Sequence, residues 1–428
     1  MPDLNFLITT WEGGGSVGPM LTLARKLRDA GYGVRVMSDA CNRRETEALN
    51  LRFVPWTRAP SRTDRSRQSE IIRDWAADNP LDGFRQAIED LFAGPAYAYA
   101  EDVIEELRHE PADLVITSDF LFGVMAGCES IGQPVAAMAC NSVVFPLDDA
   151  PVAGPTHDPA MSAEEAAQGE AMRKAAREAF DCGLPALNAA RALLGLGPLA
   201  SLLDQLSYAT TIFVAVSRYF DMVRNPIPSR YSYVGPQLDE VAWAEQLAVR
   251  PDERNRPLVV VSFSTTFQNH VGVLQRVIDG LASLPVDVIV TLGPAIERDE
   301  LQPAQNCSLV ASAQHGPLMR QASLVVTHGG HGTLARAMTH KLPLLVIPHG
   351  RDQDGNAARV EAHGAGIMLP PAASAAQIHD AAVRLLSEPA FAAAAARLAE
   401  AVTLEADESH IVGEIERLCS SALTSMAG

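Results

Sequence analysis

Residues 322–338 read "ASLVVTHGGHGTLARAM". A short apolar run, Leu324–Val326, ends at Thr327 and His328; two glycines follow, and His331, Gly332 and Thr333 open a helical pattern. A strand delivered into a helix through glycine is the repeating unit of a parallel α/β sheet. At such a switch the backbone N–H groups of Gly332, Thr333 and Leu334 are free to point out of the helix start. With the helix dipole they form an anion site that needs no lysine. Gly329 and Gly330 let the backbone approach closely, Thr333 adds a hydroxyl and His328 a ring donor. The set suits a diphosphate. It is neither a Walker loop nor the dinucleotide fingerprint, since G-x-x-x-x-G-K-[ST] and G-x-G-x-x-G are both absent here. A metal is the competing reading, because His315, His328, His331, His340 and His349 crowd one span. H-x-x-H on a Gly-Gly turn is not a helical i, i+4 pair, however, and no cysteine or carboxylate is spaced to close a site. Phosphate is therefore preferred.

The same rhythm extends in both directions. Upstream, "RPLVVVSFSTT" (256–266), "VDVIVTLG" (286–293) and "CSLVAS" (307–312) read as strands; downstream, "LPLLVIPHG" (342–350) and "GIMLP" (366–370) do so too. In the first half, "LNFLITT" (4–10), "VRVMSD" (34–39), "DLVITSD" (113–119) and "PVAAMAC" (134–140) alternate with amphipathic stretches. The reading is α/β, with two Rossmann-like domains whose sheets aim ligand-binding loops into a shared cleft. The pattern of residues 64–110 predicts helix. The Pro-rich "RNPIPSRYSYVGPQLDE" (224–240) predicts a connection. The expected division is 1–217, a linker over 218–250, and 251–405, with 406–428 as a terminal helical segment.

The 428 residues are too many for one ordinary core. A net charge of −18 argues against general nucleic-acid or anionic-membrane partners, and no stretch is long and apolar enough for a span. The N-terminus enters a strand pattern directly, without a signal-peptide pattern. The six cysteines are scattered and contain no C-x-x-C pair, as expected of reduced thiols in a cytoplasmic protein.

"PHGRDQDGNAARVEAHGAG" (348–366) follows the strand after the glycine turn. Asp352 and Gln353 then lie on the same sheet edge. A carboxylate beside an amide can grip sugar hydroxyls; alternatively Asp352 or Asp354 simply caps a helix. The pair "HGGHGT" and "P…DQ…NA" resembles the donor-binding region of family 1 nucleotide-sugar glycosyltransferases, the plant UDP-glucosyltransferases and bacterial antibiotic and macrolide glycosyltransferases. The layout of the whole chain is similar as well. The resemblance implies a GT-B fold and metal-independent, inverting transfer from a UDP- or dTDP-sugar to a small-molecule hydroxyl, with no prosthetic group. It implies that His328, Gly330, His331, Gly332 and Thr333 hold the diphosphate, and that Asp352 and Gln353 hold the sugar. Asn356 and Thr265 are implied near the phosphates and His315 beside the base. The terminal helix is implied to cross back onto the first domain.

One position departs from that family. Its members often carry a histidine base in a G-H-x-x-P context after the first strand, and here "GSVGP" puts Ser16 there. A serine hydroxyl does not deprotonate an alcohol alone. Three answers stay open: Asp119 as base, directly or through Ser16; Glu12 in the glycine turn; or an acidic acceptor hydroxyl that needs little base. Trp11, Phe84, Phe92, Phe120, Phe122 and Phe145 are expected to line a pocket for a hydrophobic, natural-product-like acceptor. The lost histidine also leaves room for a non-catalytic nucleotide-sugar-binding partner, and an epimerase of similar fold is a third reading. A monomer or homodimer is expected.

Overall fold

Valine and isoleucine runs buried on both faces build two all-parallel sheets, as β-branched residues do where helices cover each side. The computed structural model of the chain describes residues 4–142, 145–147, 149–155, 163–239, 256–263, 266–294, 296–407 and 410–426. The first sheet holds β1 (Asn5–Thr9), β2 (Gly33–Ser38), β3 (Arg52–Pro55), β4 (Leu114–Ser118), β5 (Val135–Ala139), β6 (Ile212–Val214) and β7 (Tyr231–Tyr233). The second holds β8 (Leu258–Ser262), β9 (Asp287–Thr291), β10 (Cys307–Val310), β11 (Ala322–Thr327), β12 (Leu344–Val346) and β13 (Gly366–Met368). Their orders are β3-β2-β1-β4-β5-β6-β7 and β10-β9-β8-β11-β12-β13.

In each sheet the winding reverses once, between β1 and β4 and between β8 and β11. Open α/β sheets bind ligands outside the carboxyl ends of the strands at that reversal. The loops concerned are 10–16 and 119–121 in the first domain, and 266–270 and 328–333 in the second.

Two expectations about the elements are corrected. Residues 64–79 are not a helix: they carry only the short 3-10 turns Arg67–Ser69 and Asp74–Ala76, and regular helix begins at Pro80. The segment is polar, and its charged side chains are spent on tertiary pairs such as Arg62–Glu70 at 3.2 Å and Arg65–Glu12 at 3.0 Å. The stretch 218–250 is not wholly a linker either, because Tyr231–Tyr233 pairs with β6 as the edge of the first sheet. Residues 240–250 lie outside the described residues.

The domains meet through buried chemistry. Arg359 Nε donates to Asp221 Oδ1 at 2.7 Å, and the Tyr233 hydroxyl donates to Asp221 Oδ2 at 2.7 Å. Ile411, Ile415 and Cys419 of the last helix share a hydrophobic cluster with Phe6, Ile8 and Val36 of the first domain. Tyr32 and Ser232 of that domain hydrogen-bond to Glu416 and Glu414 of the helix. Among the described residues no helix is long and apolar enough to cross a membrane.

Candidate active site

β11 ends at Thr327, and the helix His331–Thr339 begins after three intervening residues, with Gly330 at its N-cap. Gly329 has φ +99°, and a Cβ there would sit 2.9 Å from Val346 Cγ1, so this turn needs glycine twice over. The His328 ring folds over Gly330, where an added Cβ would lie 2.7 Å from Nε2. The helix start differs in detail from expectation. Thr333 N–H and Leu334 N–H both reach the Gly330 carbonyl at 3.1 Å, so helix geometry leaves the N–H groups of His331 and Gly332 as the outward donors. Burial holds the His328 imidazole well below its ordinary pKa, and burial takes His315 down to about 4. Both are neutral at pH 7 and act as hydrogen-bonding groups, not cations. His315 Nε2 lies 3.1 Å from Ser262 Oγ at the end of β8. Thr265 lies outside the described residues.

His331 is turned elsewhere. Its ring packs 6.2 Å from the Phe220 ring and is hydrogen-bonded to the Cys140 main chain of the first domain. Its side chain therefore serves the domain interface, and only its backbone belongs to the glycine turn.

Asp352 stands at the N-cap of Gln353–Ala362 without a side-chain capping bond. Its Oδ2 accepts from Asn356 Nδ2 at 2.8 Å, and the same amide donates to the Gly329 carbonyl at 3.0 Å. Asn356 thus ties the helix Gln353–Ala362 to the glycine turn. Gln353 is occupied at both ends: Oε1 accepts from His349 N–H at 2.7 Å, and Nε2 donates to Gln268 Oε1 at 2.8 Å. Gln268 had no motif to reveal it. Among the described residues no group of three or more His, Cys, Asp or Glu side chains is placed to hold a metal ion.

Across the cleft, Ser16 Oγ donates to the Trp11 carbonyl at 3.0 Å, and Trp11 Nε1 donates to Ser118 Oγ at 3.3 Å. Cys140 Sγ donates to the Ser16 carbonyl at 3.4 Å. Asp119 follows β4, with Ser118 Oγ at 3.5 Å from Oδ1. Burial raises its pKa from 3.8 to about 7, although hydrogen bonds from its own and the Phe120 backbone and from Ser118 oppose the shift. Glu12 is not free to act as a base. Its carboxylate accepts from Arg65 Nε at 3.0 Å and Gly14 N–H at 2.9 Å, so it organises the glycine turn.

The predicted acceptor rings do gather. Trp11 meets Phe92 edge-on at 4.8 Å, Phe92 meets Phe120 at 4.9 Å, and Phe120 meets Phe145 at 5.0 Å. Phe180 joins them, 5.4 Å from Phe145 and 4.8 Å from Phe84; it sits in an alanine-rich helix whose sequence shows no sign of a pocket. Trp11, Phe84 and Phe120 are half-buried, whereas Phe92 and Phe145 are buried behind them. Phe122 is 0% exposed and belongs to the core, not to a pocket wall.

Two α/β domains facing each other, with a glycine-histidine turn between strand and helix in the second, define the GT-B fold. The family profile described as "Erythromycin biosynthesis protein CIII-like, C-terminal domain" matches residues 275–418. The 4'-demethylrebeccamycin synthase of Lentzea aerocolonigenes is 26% identical over 411 residues, 92% of this chain and 94% of that relative. The glycosyltransferase of kitacinnamycin superposes with a TM-score of 0.74 at 16% identity, covering 97% of this chain and 99% of the other. The glycosyltransferase VinC, solved in complex with dTDP, gives 0.67 at 19% identity, covering 98% and 100%. The chain is a nucleotide-sugar-dependent glycosyltransferase with the GT-B fold, similar in sequence to antibiotic glycosyltransferases.

Proposed function

We propose that the chain moves a hexose from a UDP- or dTDP-sugar to a hydroxyl of an aromatic, natural-product-type acceptor, with inversion, in the cytoplasm and without a metal. Asp119 is the base. The observation that carries this reading is a buried carboxyl beside the aromatic cluster, at the carboxyl edge of the first sheet, with its pKa raised to about 7. A base whose pKa lies near the working pH combines a useful ionised fraction with real proton affinity. Asp119 takes the acceptor proton as the acceptor oxygen bonds to the anomeric carbon. The bond from that carbon to the diphosphate oxygen breaks, and the nucleoside diphosphate leaves with the electron pair. The His331 and Gly332 N–H groups and the neutral His328 ring meet the charge that develops there. Asp352 orients the sugar, and Gln353 joins it once its amide exchanges Gln268 for a sugar hydroxyl. The dTDP bound to VinC supports a thymidine-type donor beside a UDP-sugar.

Calorimetric titration with UDP, dTDP and GDP, each with and without EDTA, tests the donor half. Binding of UDP or dTDP that survives EDTA is expected. Failure of all three, or binding abolished by EDTA, removes the diphosphate assignment of the glycine turn.

A further inference from the structure

Resting on that donor reading, the geometry points to Arg351 as a further catalytic residue: the cation that binds the donor's diphosphate and stabilises it as leaving group, with Asp74 of the acceptor domain as a counter-anion that restrains it. No motif marks Arg351, and the anion site described so far consists of neutral donors in a chain of net charge −18.

Four observations converge on it. Arg351 immediately precedes Asp352 and has φ +57°, a left-handed conformation that costs a non-glycine residue energy and is kept only where the surroundings enforce it. Its guanidinium is held from both domains: Nε and Nη2 donate to the Asp74 carboxylate at 2.8 and 3.3 Å, and Nη1 donates to Thr266 Oγ1 at 3.1 Å. Those bonds use three of the five N–H donors of the group, which leaves two for a ligand. Arg351 also lines the narrow cleft between the domains together with Trp11, Glu70 and Thr266. Its positive charge reaches both donor subsites, opposing protonation of His328 on the phosphate side and favouring the ionised form of Asp352 on the sugar side.

The arrangement has a consequence of definite sign. Asp74 orients the guanidinium but also cancels part of its charge. A diphosphate entering the cleft adds negative charge beside the same cation and competes with Asp74 for it. Asn at position 74 retains a carbonyl oxygen that accepts from Nε while removing the competing charge, so Asp74→Asn separates orientation from neutralisation.

The test is a double-mutant cycle of Asp74→Asn and Arg351→Gln, read as Kd for UDP and dTDP against Kd for uridine and thymidine monophosphate, at low and high salt, with thermal melts to confirm folding. Arg351→Gln is expected to weaken the diphosphates by ten- to a hundredfold and the monophosphates less, and to lower kcat with the intact donor. Asp74→Asn is expected to tighten the diphosphates several-fold in the wild-type background and to do nothing in the Arg351→Gln background. If Asp74→Asn leaves diphosphate affinity unchanged or weakens it, or if Arg351→Gln affects di- and monophosphates alike, Arg351 is not the diphosphate cation. Where Arg351→Gln fails to fold, Arg351→Lys with Asp74→Asn decides by the same comparison. Absence of nucleotide binding by the wild-type chain is a different result and strikes the donor reading itself.

Discussion

As the proposed base, Asp119 concentrates the acceptor chemistry in one carboxyl, and its raised pKa has two measurable consequences. The base is ionised only above about pH 7, so kcat/KM is expected to rise with pH through that value and then level off. Asp119→Asn should remove this limb and lower kcat by roughly 10²–10⁴-fold. Stability runs the opposite way. For an acid whose folded pKa exceeds its unfolded value, the folded state binds the proton more tightly. The stabilisation is complete below the unfolded pKa of 3.8 and is lost as pH rises through about 7. A shift of this size corresponds to an upper bound of about 4 kcal/mol. Asp119→Asn should therefore melt at a higher temperature than the parent at pH 8, and the gain should shrink by pH 5. Equal melting temperatures at pH 8 would show that Asp119 carries no burial cost and so lacks the raised pKa that the proposed base requires.

At the scale of elements, the two domains use glycine differently. In the second, Gly330 leaves room for the His328 ring; Gly330→Ala should displace that ring and weaken UDP or dTDP binding by tenfold or more, with little change in melting temperature, as titration and a thermal melt would show. In the first, Gly123 lets the helix Phe122–Ile131 pack against the helix Ala96–His109. A Cβ at 123 would lie 2.2 Å from the Ala96 carbonyl oxygen. Gly123→Ala should force the helices apart, cost about 1–3 kcal/mol in a urea titration, and disturb the floor under Phe92 and Phe120. The turn at 329–333 was legible because a three-residue apolar run, two glycines and a helix start stand side by side. The helix contact at Gly123 was not, since a single glycine in a helical pattern says nothing of the element it faces.

For the molecule as a whole, Asp221 couples the domains. Its side chain is fully enclosed and accepts from Arg359 of the donor domain and from Tyr233. Removing one partner of a buried pair strands the other, at a cost of roughly 3–5 kcal/mol. Asp221→Ala should lower the unfolding free energy from a urea titration by that amount, moving the midpoint down, and reduce kcat through loss of domain alignment. An unchanged midpoint would mean that the interface is carried by apolar burial alone.

Local order along the chain was enough to anticipate the two parallel sheets and the glycine turn at 328–333, and it marked Asp352-Gln353 and Ser16 as positions on which the proposed donor and acceptor sites rest. Each rests on residues close together in sequence, where strand period, glycine and helix start act over a few positions. Tertiary structure alone decided the rest. It withdrew Glu12 into an ion pair with Arg65 and Phe122 into the core, turned the His331 ring to the interface, recruited Phe180 and Gln268, and set Asp74 against Arg351 across 277 residues of chain. These outcomes depend on which groups meet after the two sheets face each other. Burial and charge pairing are properties of that meeting, and no periodicity in the sequence encodes them.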